Sequence, residues 1–158
     1  MKNADLMIRF SKTSESVEVD YYLKKIIRTA INQTLLLEGF DNPVEVSVTL
    51  CDNAYIKKLN AQFRNKDKET DVLSFPMYTE MDLNLFRVGE EVLLGDIVIS
   101  LERAKAQAVE VGNPYLREVA FLAIHSTLHL LGYDHELSPE DDELQCARQR
   151  EIIESFEI

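Results

Sequence analysis

Val44-Glu-Val-Ser-Val-Thr-Leu50, entered through Pro43, alternates apolar and polar side chains at every step. A period of two marks a strand with one buried face, because successive Cβ atoms point to opposite sides of a sheet. The residues before it keep a different period. After Asp20, placed to cap a helix, Leu23, Ile26, Ile27, Ala30, Ile31, Thr34 and Leu35 recur at spacings of three and four, which predicts a helix to about Glu38 stopped by Gly39. The residues after it return to helix, with Asp52 as the cap of a segment reaching about Phe63. Helix therefore stands on both sides of residues 44–50, and such interleaving selects a layered fold in which helices cover a sheet.

The same signals extend to both ends. Leu6 to Phe10 reads as a first strand, TDVLSFP (70–76) as a third ended by Pro76, and LGDIVIS (94–100) as a fourth. Ser100 is placed to cap a helix that Gly112 stops. Asn113, with Pro114 at the first helical position, opens another that runs to about Leu131 and stops at Gly132. Ser138-Pro139-Glu140-Asp141 begins a last helix with an N-cap, a proline and an acidic first turn. The polar stretch from Thr79 to Glu91 is expected to be a loop or hairpin excursion. No repeat or linker breaks the chain. The expectation is one α+β domain over residues 1–158, a mixed sheet of about four strands packed with about five helices.

Composition excludes some classes. Hydrophobic residues are 46% and charged residues 28% of the chain, and no apolar run is long enough to span a membrane. The first residues, MKNADLMIRF, have no secretory apolar core, so a cytoplasmic location is expected. Cys51 and Cys146 stand alone, without the spacing of a disulfide framework or a thiolate metal cage. The net charge of −11 argues against a nucleic-acid partner, and no DNA partner is expected. That charge is uneven, however. From Asp134 onward nine acids face only Arg148 and Arg150, whereas Cys51 to Thr70 carries five cations against three acids. The acidic last helix is accordingly expected to lie away from any RNA-binding surface.

All three histidines of the chain fall within His125-Ser-Thr-Leu-His129-Leu-Leu-Gly-Tyr-Asp-His135. Positions i and i+4 share a helix face, so His125 and His129 can address one atom, and Gly132 allows the sharp turn that brings His135 round. Chance gives three histidines this spacing on the order of once in 4,000 such sequences. Three imidazoles with an open fourth position are the ligand set of a catalytic zinc site, and the expected cofactor is one Zn2+ or another divalent transition metal, in a zincin-like site on a central helix. The spacing is also that of metzincin proteases, but those place a general-base glutamate after the first histidine, where this chain has Ser126.

HSTLHLLGYDH resembles the signature of the bacterial YbeY family, commonly H-G-x-L-H-L-x-G-Y-D-H, and LNAQFRNKDKETDVLSFP and LGDIVIS continue the resemblance upstream in the family's order. The departure is Ser126, where glycine is common. What the resemblance implies is a single-strand-specific, metal-dependent endoribonuclease acting in ribosomal RNA maturation at the 3′ end of the small-subunit RNA and in ribosome quality control. Its partners would be the small subunit and assembly factors. The family's metal ligands map onto His125, His129 and His135, and its functional arginine onto Arg64. A planar guanidinium suits phosphate and the charge that develops on phosphorus. Two other readings stand beside this one, a zincin-like metallopeptidase and a ribosome-associated binding factor with a structural metal. Around the triplet, Asp134 is either a partner for an imidazole N–H or a turn cap. Glu118 is two helical turns from His125, too far to replace the missing glutamate. Thr70 and Ser74 are expected to be ordinary strand residues.

Overall fold

The structure is a computed structural model that describes residues 5–156. Its elements in chain order are β1 (Leu6–Lys12), α1 (Tyr21–Leu37), β2 (Val44–Cys51), α2 (Asn53–Arg64), β3 (Val72–Pro76), α3 (Glu80–Leu83), β4 (Val92–Ser100), α4 (Leu101–Val111), α5 (Tyr115–Leu130) and α6 (Pro139–Glu154). The four strands form one sheet in the order β1-β2-β4-β3, with β1, β2 and β4 parallel and β3 antiparallel to β4. The sheet is mixed, as the sequence indicates.

Val44, Val46, Val48 and Leu50 are all buried, as the apolar–polar alternation of residues 44–50 requires. They join Ile97 and Ile99 of β4 and the apolar faces of α1, α4, α5 and α6 in the main core. A smaller cluster of Cys51, Ile56, Leu73 and Val98 seats α2 over β3 and β4. No described helix is long and apolar enough to cross a membrane.

Caps set the helix starts. Asp20, Asp52, Ser100 and Ser138 each accept a hydrogen bond from a backbone N–H three residues on. Asn113 does not cap α5. Pro114 takes the cap position, in extended geometry and without a side-chain bond, and its carbonyl accepts the first helical bond from the Glu118 N–H. The Thr79–Glu91 excursion contains the short α3, which the Thr79 hydroxyl caps by accepting from the Asp82 N–H.

Two contacts fix the edge strand that borders the site. Ser74 of β3 is hydrogen-bonded to Ser126 of α5, tying the edge of the sheet to the central helix. Gly95 sits in β4 where the register with β2 shifts by one residue, at φ 148°, and a Cβ there would overlap the Phe75 carbonyl oxygen. Only glycine allows β3 this close.

Candidate active site

His125 and His129 project from one face of α5. The helix then ends, and Gly132, at φ 114°, reverses the chain; a Cβ there would also stand 2.8 Å from the Cβ of Glu80. Glycine is therefore required twice over, by conformation and by the approach of α3. The reversal carries His135 back to its partners, so that the His125 and His135 ring centres are 5.0 Å apart. The three imidazoles line one recess of about 260 Å³ together with Arg64 from the end of α2, Thr70 and Asp71 just before β3, and Val72, Leu73 and Ser74 in it. Asp134 and Glu136 complete its rim.

Two of the rings have their outer nitrogen fixed. His129 Nδ1 stands 2.8 Å from the Tyr133 carbonyl oxygen, which can only accept, so this nitrogen carries the proton and Nε2 keeps its lone pair. His125 Nδ1 stands 2.7 Å from Gln149 Oε1, with the same consequence. Gln145 Nε2 lies 3.3 Å from that Nδ1 and donates to the His125 carbonyl. Both glutamines are buried. The third ring differs, since His135 Nδ1 is buried with no hydrogen-bond partner. Burial lowers the His125 pKa below its ordinary value; the Gln149 hydrogen bond raises it, the His135 charge lowers it further, Asp71 raises it and His129 lowers it. The imidazole is thus kept neutral, the form that ligates metals. Among the described residues, however, no group of three or more His, Cys, Asp or Glu is gathered closely enough to hold an ion as the side chains stand.

Arg64 Nη2 bonds Glu136 Oε1 at 2.6 Å. The Glu136 carboxyl is held below its usual range first by that hydrogen bond, against a smaller cost of burial, and then by the charges of Arg64, Lys66 and His135. Both side chains remain substantially exposed, so the pair contributes little to stability and is open to exchange.

The remaining sequence candidates separate cleanly. Asp134 Oδ1 accepts from the Glu136 N–H at 3.0 Å, so it caps the turn rather than an imidazole. Glu118 accepts from Gln107 Nε2 and takes no part in the recess. Ser126 is fully buried against Ser74, leaving no carboxylate after the first histidine. Thr70 and Ser74, read as ordinary strand residues, both line the recess. The sequence does not single out Asp71, Glu136, Gln145 or Gln149; no residue of α6 lines the recess, and its Gln145/Gln149 face packs behind His125. One signal was available: two uncharged amides four residues apart on a helix otherwise rich in charge.

Over residues 9–157 the chain matches the family described as "Endoribonuclease YbeY". It belongs to the YbeY family. Relatives named Endoribonuclease YbeY from Bacillus cereus strain B4264 and Bacillus mycoides strain KBAB4 are 42% and 41% identical over 153 residues, covering 96% of this chain and 96% of each relative. The solution structure of a Thermotoga maritima protein superposes with a TM-score of 0.60 at 28% identity, covering 94% of this chain and 87% of that one. The YbeY assignment thus takes in the recess and every element that builds it.

Proposed function

We propose that this chain is a metal-dependent endoribonuclease that cleaves single-stranded RNA, with zinc held by His125, His129 and His135 and with Arg64 acting on the phosphoryl group. The observation that carries the reading is that Arg64, delivered by α2, enters the same recess as three imidazoles delivered by α5 and the turn after it. The names of the Bacillus relatives support an RNA-cleaving hydrolase.

The donor set fits a borderline cation such as zinc. Two rings present Nε2 lone pairs, and the third has an orphaned nitrogen that an ion would satisfy. His125, His129 and His135 would hold the ion, the His125 and His135 rings standing with their centres 5.0 Å apart. A divalent ion supplies Lewis acidity toward a phosphoryl oxygen and lowers the pKa of water, so a nucleophile is available near neutrality.

The chain's own residues do the rest. Gln149 and the Tyr133 carbonyl hold the Nδ1 protons in place, which keeps the opposite nitrogens unprotonated. Arg64 exchanges Glu136 for a phosphate oxygen and stabilises the negative charge that grows there as the phosphodiester bond breaks. Glu136 keeps the fork at the mouth of the recess until substrate arrives. The substrate we assign is ribosomal RNA, at the 3′ end of the small-subunit RNA, with roles in its maturation and in ribosome quality control alongside the small subunit and its assembly factors in the cytoplasm. This assignment rests on the family resemblance.

The test is Arg64→Ala. A contact made in the transition state predicts a cleavage rate lower by about 10²-fold or more, with RNA affinity much less changed and metal content unaltered. An unchanged rate would remove Arg64 from the reaction.

A further inference from the structure

Phe63, the residue before Arg64 at the end of α2, exposes 59% of its surface. Its ring meets Phe75 of β3 edge-on, with centres 5.4 Å apart at 70°. Phe75 packs in turn on the small cluster beneath α2 and follows Ser74, which lines the recess. The Phe63 ring is therefore braced on one side and open to water on the other, beside the recess.

A lone exposed apolar side chain is ordinary. Its surroundings are not, in a chain of net charge −11. Lys57, Lys58, Lys66 and Lys68 are all exposed on α2 and the loop after it. That loop is held in place. Asn65 takes a left-handed conformation at φ 57°, and the buried Asn60 accepts from the Lys66 N–H through its carbonyl and donates through Nδ2 to the Lys68 carbonyl at 2.9 Å. The backbone of Lys66 and Lys68 is thereby tied to Asn60, one turn before Phe63 and Arg64 on α2. An aromatic surface among cations, continuous with a phosphate-handling arginine, is the composition of a single-strand binding platform.

We infer that Phe63, backed by Phe75, stacks against the nucleobase next to the phosphate at Arg64, with Lys66 and Lys68 on the flanking phosphates. This subsite rests on the endoribonuclease reading and deepens it, since a stacking platform accepts only an unpaired, splayed base and so confers a preference for single strands. Duplex RNA offers no free face to the ring.

The test uses the full chain in chelator, so that no cleavage occurs, and a short single-stranded RNA containing a fluorescent adenine analogue. Phe63→Leu keeps apolar bulk without a ring and should weaken binding by about 10-fold or more with its salt dependence unchanged. Replacing Lys66 and Lys68 with alanine should make the salt dependence shallower. The chain contains no tryptophan, so Phe63→Trp places a single reporter on the platform, and its emission should change when RNA binds. A Phe63→Leu protein that binds like the parent, or a Phe63→Trp protein that binds RNA with unaltered emission, overturns the subsite. Failure of the parent protein to bind the RNA both in chelator and when zinc-loaded would instead refute the endoribonuclease reading beneath it. Far-UV circular dichroism confirms that the variants are folded, and should the leucine variant not be, the tryptophan reporter decides.

Discussion

Replacing Gln149 with leucine removes its side-chain amide, and with it the acceptor facing His125, while leaving the buried volume nearly unchanged. In the parent, Gln149 Oε1 accepts a hydrogen bond from the His125 Nδ1–H at 2.7 Å, with Gln149 buried and His125 half-buried. Without that acceptor the ring has two options. It can keep the proton on Nδ1 and leave a buried donor unsatisfied, at a cost of about 1–3 kcal/mol. Or it can move the proton to Nε2, since Gln145 Nε2 already stands 3.3 Å from Nδ1 and can donate to it. The second route is open and relieves the first cost, but it removes the lone pair that faces the recess. Metal affinity should therefore fall by about 10- to 100-fold, the usual effect of losing such a partner. Competition titration with a chromophoric chelator measures that affinity, and imidazole nitrogen chemical shifts of the metal-free protein report the tautomer directly. Gln149→Glu retains an acceptor and should preserve the parent tautomer. If Gln149→Leu bound metal as the parent does and kept the proton on Nδ1, the argument from the glutamine to the ligating nitrogen would be refuted.

His129→Ala should lower metal affinity severely while leaving the chain folded, because the main core is built from α1, β2, β4 and the buried face of α5 without help from an ion. Metal titration alongside circular dichroism checks this, and complete unfolding would point to a structural metal. The pH dependence of the metal-free protein supplies a further check. His125 has a folded pKa below its ordinary 6.5, so its contribution to stability is complete above that pH and is lost as pH falls toward the depressed folded value, where the unfolded chain takes up the proton first. Denaturant titrations below that pH should show the loss, and His125→Asn should remove it.

How much of this was legible in the sequence depended on the range of the signal. The period of VEVSVTL and the side chains of Asp20, Asp52, Ser100 and Ser138 act within a few residues, and each of them stands where the sequence indicates. Pro114 was misread because a proline after asparagine fits both the first helical position and the cap, and only the course of the first hydrogen bond distinguishes them. The histidine spacing and, through the YbeY resemblance alone, Arg64 pointed to one site, and the recess collects all four residues. The partners of these groups were not legible. Glu136 meets Arg64 across 72 residues and Gln149 meets His125 across 24, and such contacts depend on how α2 and α6 pack rather than on any local pattern. The net charge misled in a similar way, because it averages an acidic tail with the cationic segment from residue 51 to 70.

The central claim is that this recess hydrolyses single-stranded RNA with the help of a bound ion. Its most direct test is the cleavage of a single-stranded RNA carrying the small-subunit 3′ end, with zinc-loaded and chelated protein compared side by side. Endonucleolytic products with the loaded protein, their loss on chelation and their return when zinc is restored are the predicted results. Equal cleavage in both preparations, or none in either while the loaded protein retains its metal, would contradict the account.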